Sequence, residues 1–125
     1  MSNHRKSYIL TETAARDFRD ARRWSVARWG EKRTKLYFQQ LHDGAKYIAT
    51  HQRAIAPRDD LIGDKDLGVY PVGEHYLVYA PMSDAQIVIV ALIRQTRDVP
   101  AILMTNSFRI RKQLTAALKI LQAKR

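Results

Sequence analysis

Apolar residues recur along this chain with two different periods, and the change from one to the other divides it. From Ala14 the apolar positions step at helical spacing through Phe18, Ala21 and Trp24, which puts them on one helix face. A second series, Thr34, Tyr37, Phe38, Leu41, Ala45 and Ile48, keeps steps of three and four and predicts a helix from about Glu31 to His51. Trp29-Gly30 lies between them. Glycine suits the left-handed residue that closes a helix, and so short a connection predicts an antiparallel helix hairpin. Upstream, Ser7 to Thr11 is a short run of strand formers. Thr11 or Thr13 is placed to cap the first helix, with Glu12 near its positive end.

Beyond the hairpin the period changes. Residues Gln52 to Gly68 predict a loop, punctuated by Pro57, Gly63 and Gly68 and crowded by Asp59, Asp60, Asp64 and Asp66. Val69 to Val72 and His75 to Ala80 flank Gly73-Glu74, a two-residue hairpin turn. Ile87 to Ile93 is apolar throughout, as a strand covered on both faces must be. Ser83-Asp84-Ala85 makes the turn before it, and Pro71 belongs at a sheet edge or bulge. Asp98-Val99-Pro100 ends that last strand. Asn106 or Ser107 then caps a helix whose apolar side is Ile110, Leu114, Ala117, Leu118 and Leu121. Its remaining surface is basic: Arg109, Arg111, Lys112, Lys119, Lys124 and Arg125. This helix either covers the sheet as ordinary core, the favoured reading, or contributes to a groove.

The order β-α-α-β-β-β-α predicts an α+β fold. It has an N-terminal strand, an antiparallel helix hairpin packed on a small, mainly antiparallel sheet, and a C-terminal helix. One domain over residues 1–125 is expected, with 99–125 as a C-terminal extension.

Charge alters the picture more than composition does. The chain carries 22 Lys+Arg against 12 Asp+Glu, a formal net charge of +10. An excess of this size calls for an acidic partner, either nucleic acid or an acidic protein. With no cysteine, thiolate chemistry and disulfides are excluded. Met1 to Lys6 has no secretory character, and Ile87 to Ile93 is too short to span a bilayer. A soluble cytoplasmic protein without a membrane partner is expected.

Candidate chemistry gathers on the first helix. Arg16, Arg19 and Arg23 share a flank, Arg28 follows, and Trp24 and Trp29 are interleaved. Arginine beside exposed tryptophan marks binding surfaces. The plainer alternative is pairing within the helix, Asp20 with Arg16 or with Arg23. His75 is the one histidine in the sheet region. It is either a general base or a polar residue alternating out of a half-exposed strand, the reading preferred here. His42 and His51 are not spaced as metal ligands, and His4 stands near the N-terminus. The acidic loop lacks the pattern of a calcium loop. No metal and no cofactor are expected.

Four stretches of the sequence resemble the RelE/ParE toxin superfamily, and its ParE branch in particular. They are Tyr8-Ile9-Leu10-Thr11 leading to Ala15, Asp17 and Phe18; Trp29-Gly30 followed by Tyr37 and Leu41; Gly68 to Gly73 continuing through His75 to Tyr79; and Ile87 to Val90 continuing to Arg94, Arg97 and Asp98. The resemblance implies the toxin of a type II toxin–antitoxin pair, neutralised by a cognate acidic antitoxin that folds on binding. ParE-like members poison DNA gyrase by binding it; RelE-like members cut messenger RNA on the ribosome. A RelE-like reading would use Arg94, Arg97 and His75. However, Tyr76 stands where a RelE arginine is expected, and no tyrosine follows Tyr79. The gyrase-binding, non-enzymatic reading is therefore preferred. The alternatives are a ribosome-dependent endoribonuclease and a non-toxic module that retains only the binding groove. Arg16, Arg19, Arg23, Trp24, Arg28, Trp29, Arg94 and Arg97 are the expected contacts to antitoxin or target. Operator DNA is expected to be reached only through the antitoxin. Arg94 replaces a histidine frequent in the family, and the tail beyond Asp98 is longer than the family's.

Overall fold

The computed structural model describes residues 6–123, with side chains described for 6–120. His4, Lys124, Arg125 and the side chain of Leu121 lie outside the described residues. The first strand, β1 (Tyr8–Leu10), runs straight into α1 (Glu12–Trp29). Thr11 makes the junction: its side-chain oxygen accepts the Ala14 N–H at 3.2 Å, and its own N–H donates to Ile89 O at 3.0 Å. Helix α1 ends at Gly30, whose φ of 86° is a region that residues with a Cβ rarely adopt. Helix α2 (Glu31–His51) starts on the next residue, which completes the antiparallel hairpin that the periodicity predicts.

A 3-10 turn (Gln52–Ala54) opens the loop that follows. The strands β2 (Gly68–Val72), β3 (His75–Ser83) and β4 (Gln86–Arg94) then pair antiparallel in succession. β1 adds parallel to the far side of β4, giving the order β1-β4-β3-β2. Pro71 sits on the edge strand β2. Gly73, in the β2–β3 turn, has φ 57°, and a Cβ there would run into the Tyr37 ring.

Ile87 through Ile93 are each at most 6% exposed, so β4 is covered on both faces. The hairpin takes one face, packing Ala14, Leu41, Ala45 and Ile48 on Leu77, Ile87, Ile89 and Leu92. The other face holds Val78, Ala80, Val88, Val90, Ala91 and Ile93. Its cover is two helices, α3 (Val99–Thr105) and α4 (Ser107–Ala123), through Val99, Leu103, Ile110 and Leu114. One helix was expected in this tail. The Asp98-Val99-Pro100 segment does not simply end a strand: the Asp98 side chain accepts the Ala101 N–H at 3.2 Å and caps α3, with Pro100 in the first turn where its missing N–H is no loss. Asn106 closes α3 by donating its backbone and side-chain N–H groups to Ile102 O.

Neighbouring residues of a strand normally point to opposite faces, yet Val90 and Ala91 both join the second cluster. The β3–β4 register explains it. Val78 faces Ala91, but the next residue, Tyr79, faces Ile89, so β4 carries a bulge at Val90. After the bulge the alternation is reversed: Leu92 and Arg94 take the hairpin side.

Because α4 is as much a part of the core as α2, Leu114→Ala is expected to destabilise the fold by about 2–5 kcal/mol, as does Leu41→Ala. Urea unfolding of the two variants checks this. A loss well under 1 kcal/mol for Leu114→Ala would show that the tail does not support the sheet.

Candidate functional site

β1 is only three residues long and pairs with β4 no further than Ile89. From Val90 onward the outer edge of β4 has no neighbouring strand among the described residues. Helix α1 rises on one side of this edge and α3–α4 on the other, and between them lies a groove of about 630 Å³. Its floor is Ala91, Leu92 and Ile93. One wall is the α1 stripe Thr13, Arg16, Asp17, Asp20, Ala21 and Trp24. The opposite wall is Ile102, Leu103, Asn106, Arg109 and Ile110, and Arg94, Arg97 and His75 close the end.

The open edge exposes backbone that must be satisfied. Asp17 does this in part, its carboxylate accepting the Leu92 N–H at 3.1 Å. Burial pushes the Asp17 carboxyl above the ordinary aspartate range, against the opposing pull of that N–H, with the nearby Asp20 adding to the rise and Arg16 reducing it. Asp17 is thus a structural carboxylate. Asp20 lies 4.0 Å from Arg23 and Glu12 lies 4.0 Å from Arg16, both exposed pairs at the limit of contact. Arg16 pairs with Glu12 rather than with Asp20, the acid placed one turn N-terminal to the base being the better-oriented pair.

Four arginines reach the groove: Arg16, Arg94, Arg97 and Arg109. Of these, Arg94, Arg97 and Arg109 have no ion-pair partner among the described residues. The Arg94 guanidinium stands 4.3 Å from the centre of the Trp24 ring, with Arg28 5.2 Å from the same ring. A guanidinium stacked on a ring face stays planar and keeps its N–H edges free for a carboxylate or phosphate.

The sequence-predicted residues therefore separate into two groups. Arg16, Trp24, Arg94 and Arg97 converge on the groove. Arg19 and Arg23 are exposed on α1 outside the groove stripe: Arg16 stands at the edge of that stripe, and the helical turn places Arg19 and Arg23 on its outer side. Trp29 packs edge-on against Trp24 and Tyr37 at 5.5 Å each, with Arg33 over its ring. Arg28 touches the site only through Trp24. Sequence reasoning gave no role to Arg109 beyond a basic helix surface, and none to Asp17.

His75 corrects another expectation. It does not alternate out to solvent but is 3% exposed. Its Nδ1 is 2.6 Å from the Tyr37 hydroxyl, and the same hydroxyl accepts the Glu74 N–H at 2.9 Å. Gln95 further fixes the strand end by donating to the Gly73 and His75 carbonyls. Burial first, then the Arg94 charge, hold the imidazole below its ordinary range, with Glu74 opposing. The Tyr37 hydroxyl also lies 3.3 Å from the Val72 carbonyl, to which it can donate, so Tyr37, His75 and the β2–β3 turn form one buried network. This makes His75 a packed element that supports the floor, with its ring edge at the end of the groove.

The model of the family described as the ParE toxin of the type II toxin–antitoxin system, parDE, matches residues 8–99. Among solved structures, the chain is similar to one from the chromosomal ParDE TA system of P. aeruginosa. That match has a TM-score of 0.58 at 16% identity and covers 74% of this chain and 98% of that one. A likeness at this identity is a likeness of fold. No curated protein matches the sequence.

A histidine whose pKa is lowered on folding binds fewer protons in the native state, so its contribution is complete above the unfolded value of about 6.5 and is lost as pH falls through the folded one. Wild-type stability should therefore decline as pH drops below about 6.5, and His75→Gln should show a shallower decline. Chemical denaturation across that range provides the measurement; equal slopes would mean His75 is not the group being charged.

Proposed function

The chain belongs to the ParE toxin family of type II toxin–antitoxin systems, and from that membership we propose that it arrests growth by binding DNA gyrase and is neutralised by a cognate acidic antitoxin. Inhibition is by occupancy, without turnover of its own. The observation that carries the binding role is the groove: Arg94, Arg97 and Arg109, without ion-pair partners among the described residues, stand around a floor of Ala91, Leu92 and Ile93. Arginine offers paired donors that fit a carboxylate, while the half-buried Ala21, Trp24 and Ile102 along the groove accept apolar anchors. An acidic amphipathic segment satisfies both. It also relieves the self-repulsion of a body with net charge +10.

The same groove offers little to RNA cleavage. Internal attack requires a base for the 2′-hydroxyl and an acid for the leaving oxygen. The one imidazole here is 3% exposed and holds Tyr37 through Nδ1. Asp17 is committed to the Leu92 N–H. Positive charge alone holds phosphate without moving protons. Contact with operator DNA is assigned to the antitoxin, and a cytoplasmic setting follows from gyrase as target. No helix among the described residues is long and apolar enough to cross a membrane.

Purified protein should inhibit gyrase supercoiling stoichiometrically while leaving translated message intact. Replacing Arg94 and Arg97 together with alanine should weaken antitoxin or target binding by about tenfold or more, since a hydrogen bond to a charged group contributes roughly 1.5–3 kcal/mol. Undiminished supercoiling in excess toxin would sink the gyrase assignment, and codon-phased RNA cuts would replace it with the ribosomal one.

A further inference from the structure

We infer that the α3–α4 tail supplies a partner-selecting wall to this groove, in which Arg109 reads a carboxylate on an acidic, amphipathic protein segment. The inference rests on the binding role proposed above. It concerns a part of the chain that the family match leaves out, since that match stops at residue 99.

The tail is held in place firmly enough to position a side chain. Ile110 and Leu114 are buried on the sheet's second face. Gln113 accepts the Thr13 N–H at 3.0 Å, so α4 satisfies one of the free donors in the first turn of α1. Arg111 forks across Asp66 and Asp64 at 3.1 and 2.5 Å. Arg109 immediately precedes these anchors on α4, one residue before Ile110 and two before Arg111. Its backbone is therefore fixed relative to both α1 and β4.

Charge then separates Arg109 from Arg111. Arg111 has two carboxylates; Arg109, exposed and lining the groove, has no ion-pair partner among the described residues. The chain from Val99 onward contains no acidic residue at all, so the tail cannot neutralise itself. Arg109 shares the groove with Arg94 and Arg97. Cations gathered without counterions raise the local potential and favour an anion that supplies them.

The occupant is a protein segment rather than a nucleic-acid backbone for two reasons. Ala21, Trp24 and Ile102, half-buried along the groove, offer apolar surface, and a phosphodiester has nothing to bury there. Asp17 and Asp20 line the α1 wall opposite the tail. A backbone charged at every residue would set phosphates against them, whereas a peptide can place its acids toward Arg94, Arg97 and Arg109 and its apolar side chains along Ala21, Trp24 and Ile102.

The test uses the full chain and a fluorescein-labelled amphipathic peptide of Glu and Leu, followed by anisotropy. The peptide should bind, and Arg109→Ala should weaken it about tenfold. Thermal unfolding should stay unchanged. Lys119→Ala, on the same helix but outside the groove, should bind as wild type does. A peptide with Gln in place of Glu should no longer distinguish Arg109→Ala from wild type. The inference fails if Arg109→Ala binds normally, if Lys119→Ala loses as much (net charge alone), if the peptide does not bind, or if single-stranded RNA or duplex DNA displaces it from the groove. Gyrase inhibition by the same preparations is read separately: wild type that leaves gyrase untouched overturns the proposed function, while an Arg109-dependent peptide affinity would still stand.

Discussion

No face of the strand Gln86–Arg94 can be left to water. Seven consecutive residues, Ile87 to Ile93, are apolar and almost fully buried, so the chain has to build a cover on each side of them. The hairpin α1–α2 supplies one cover and the tail α3–α4 the other. These covers approach each other along the β4 edge but are kept apart there by β1, which ends opposite Ile89. Past that point α1 and α4 meet directly, Gln113 accepting the Thr13 N–H, and the groove lies beside that contact, between the two layers along β4. The site is thus a by-product of how a doubly buried strand is packed, placed by the length of its shortest neighbour.

The bulge at Val90 determines which chemistry this space acquires. Without it, strict alternation would turn Arg94 toward the tail side, away from α1. With it, Arg94 meets Trp24, and its charge lies close enough to His75 to help keep that ring neutral. The interior of the site is consequently fixed by hydrogen bonds between Tyr37 and His75 and from the Glu74 N–H to the Tyr37 hydroxyl, while the cations stand at its rim. Charges at a rim retain part of their hydration and cost little until something anionic arrives.

Much of this was legible in the sequence. The steps of three and four through Tyr37, Leu41 and Ile48 delimit α2, and Gly30 and the Gly73-Glu74 turn fall where their backbone requires. Long periodic segments and positive-φ glycines are local signals, and they survive folding. What was illegible depends on contacts distant in sequence. A uniformly apolar stretch has no phase, so the bulge at Val90 leaves no trace in it, and the direction of Arg94 could not be read. His75 looked like an outward polar residue because its partner, Tyr37, lies 38 positions earlier. Asp17 carries no local mark of its role, because the Leu92 N–H that it accepts lies 75 positions later. The seven-residue α3 was hidden by Pro100, which reads as a strand terminator yet is equally at home in a first helical turn after Asp98.

The tail's second role follows from the hydrophobic face it hides. A sheet that depended on another protein to shield Val88, Val90 and Ile93 would be folded only while that protein was present, and its stability would rise and fall with the partner's concentration. Here the shield is carried in the same polypeptide, at a fixed and intramolecular effective concentration. Release from any binding partner therefore leaves a molecule that is still assembled, exposes no fresh apolar sheet and has no tendency to aggregate through it. Its lifetime after dissociation is governed by its own unfolding rate rather than by how quickly a companion is replaced.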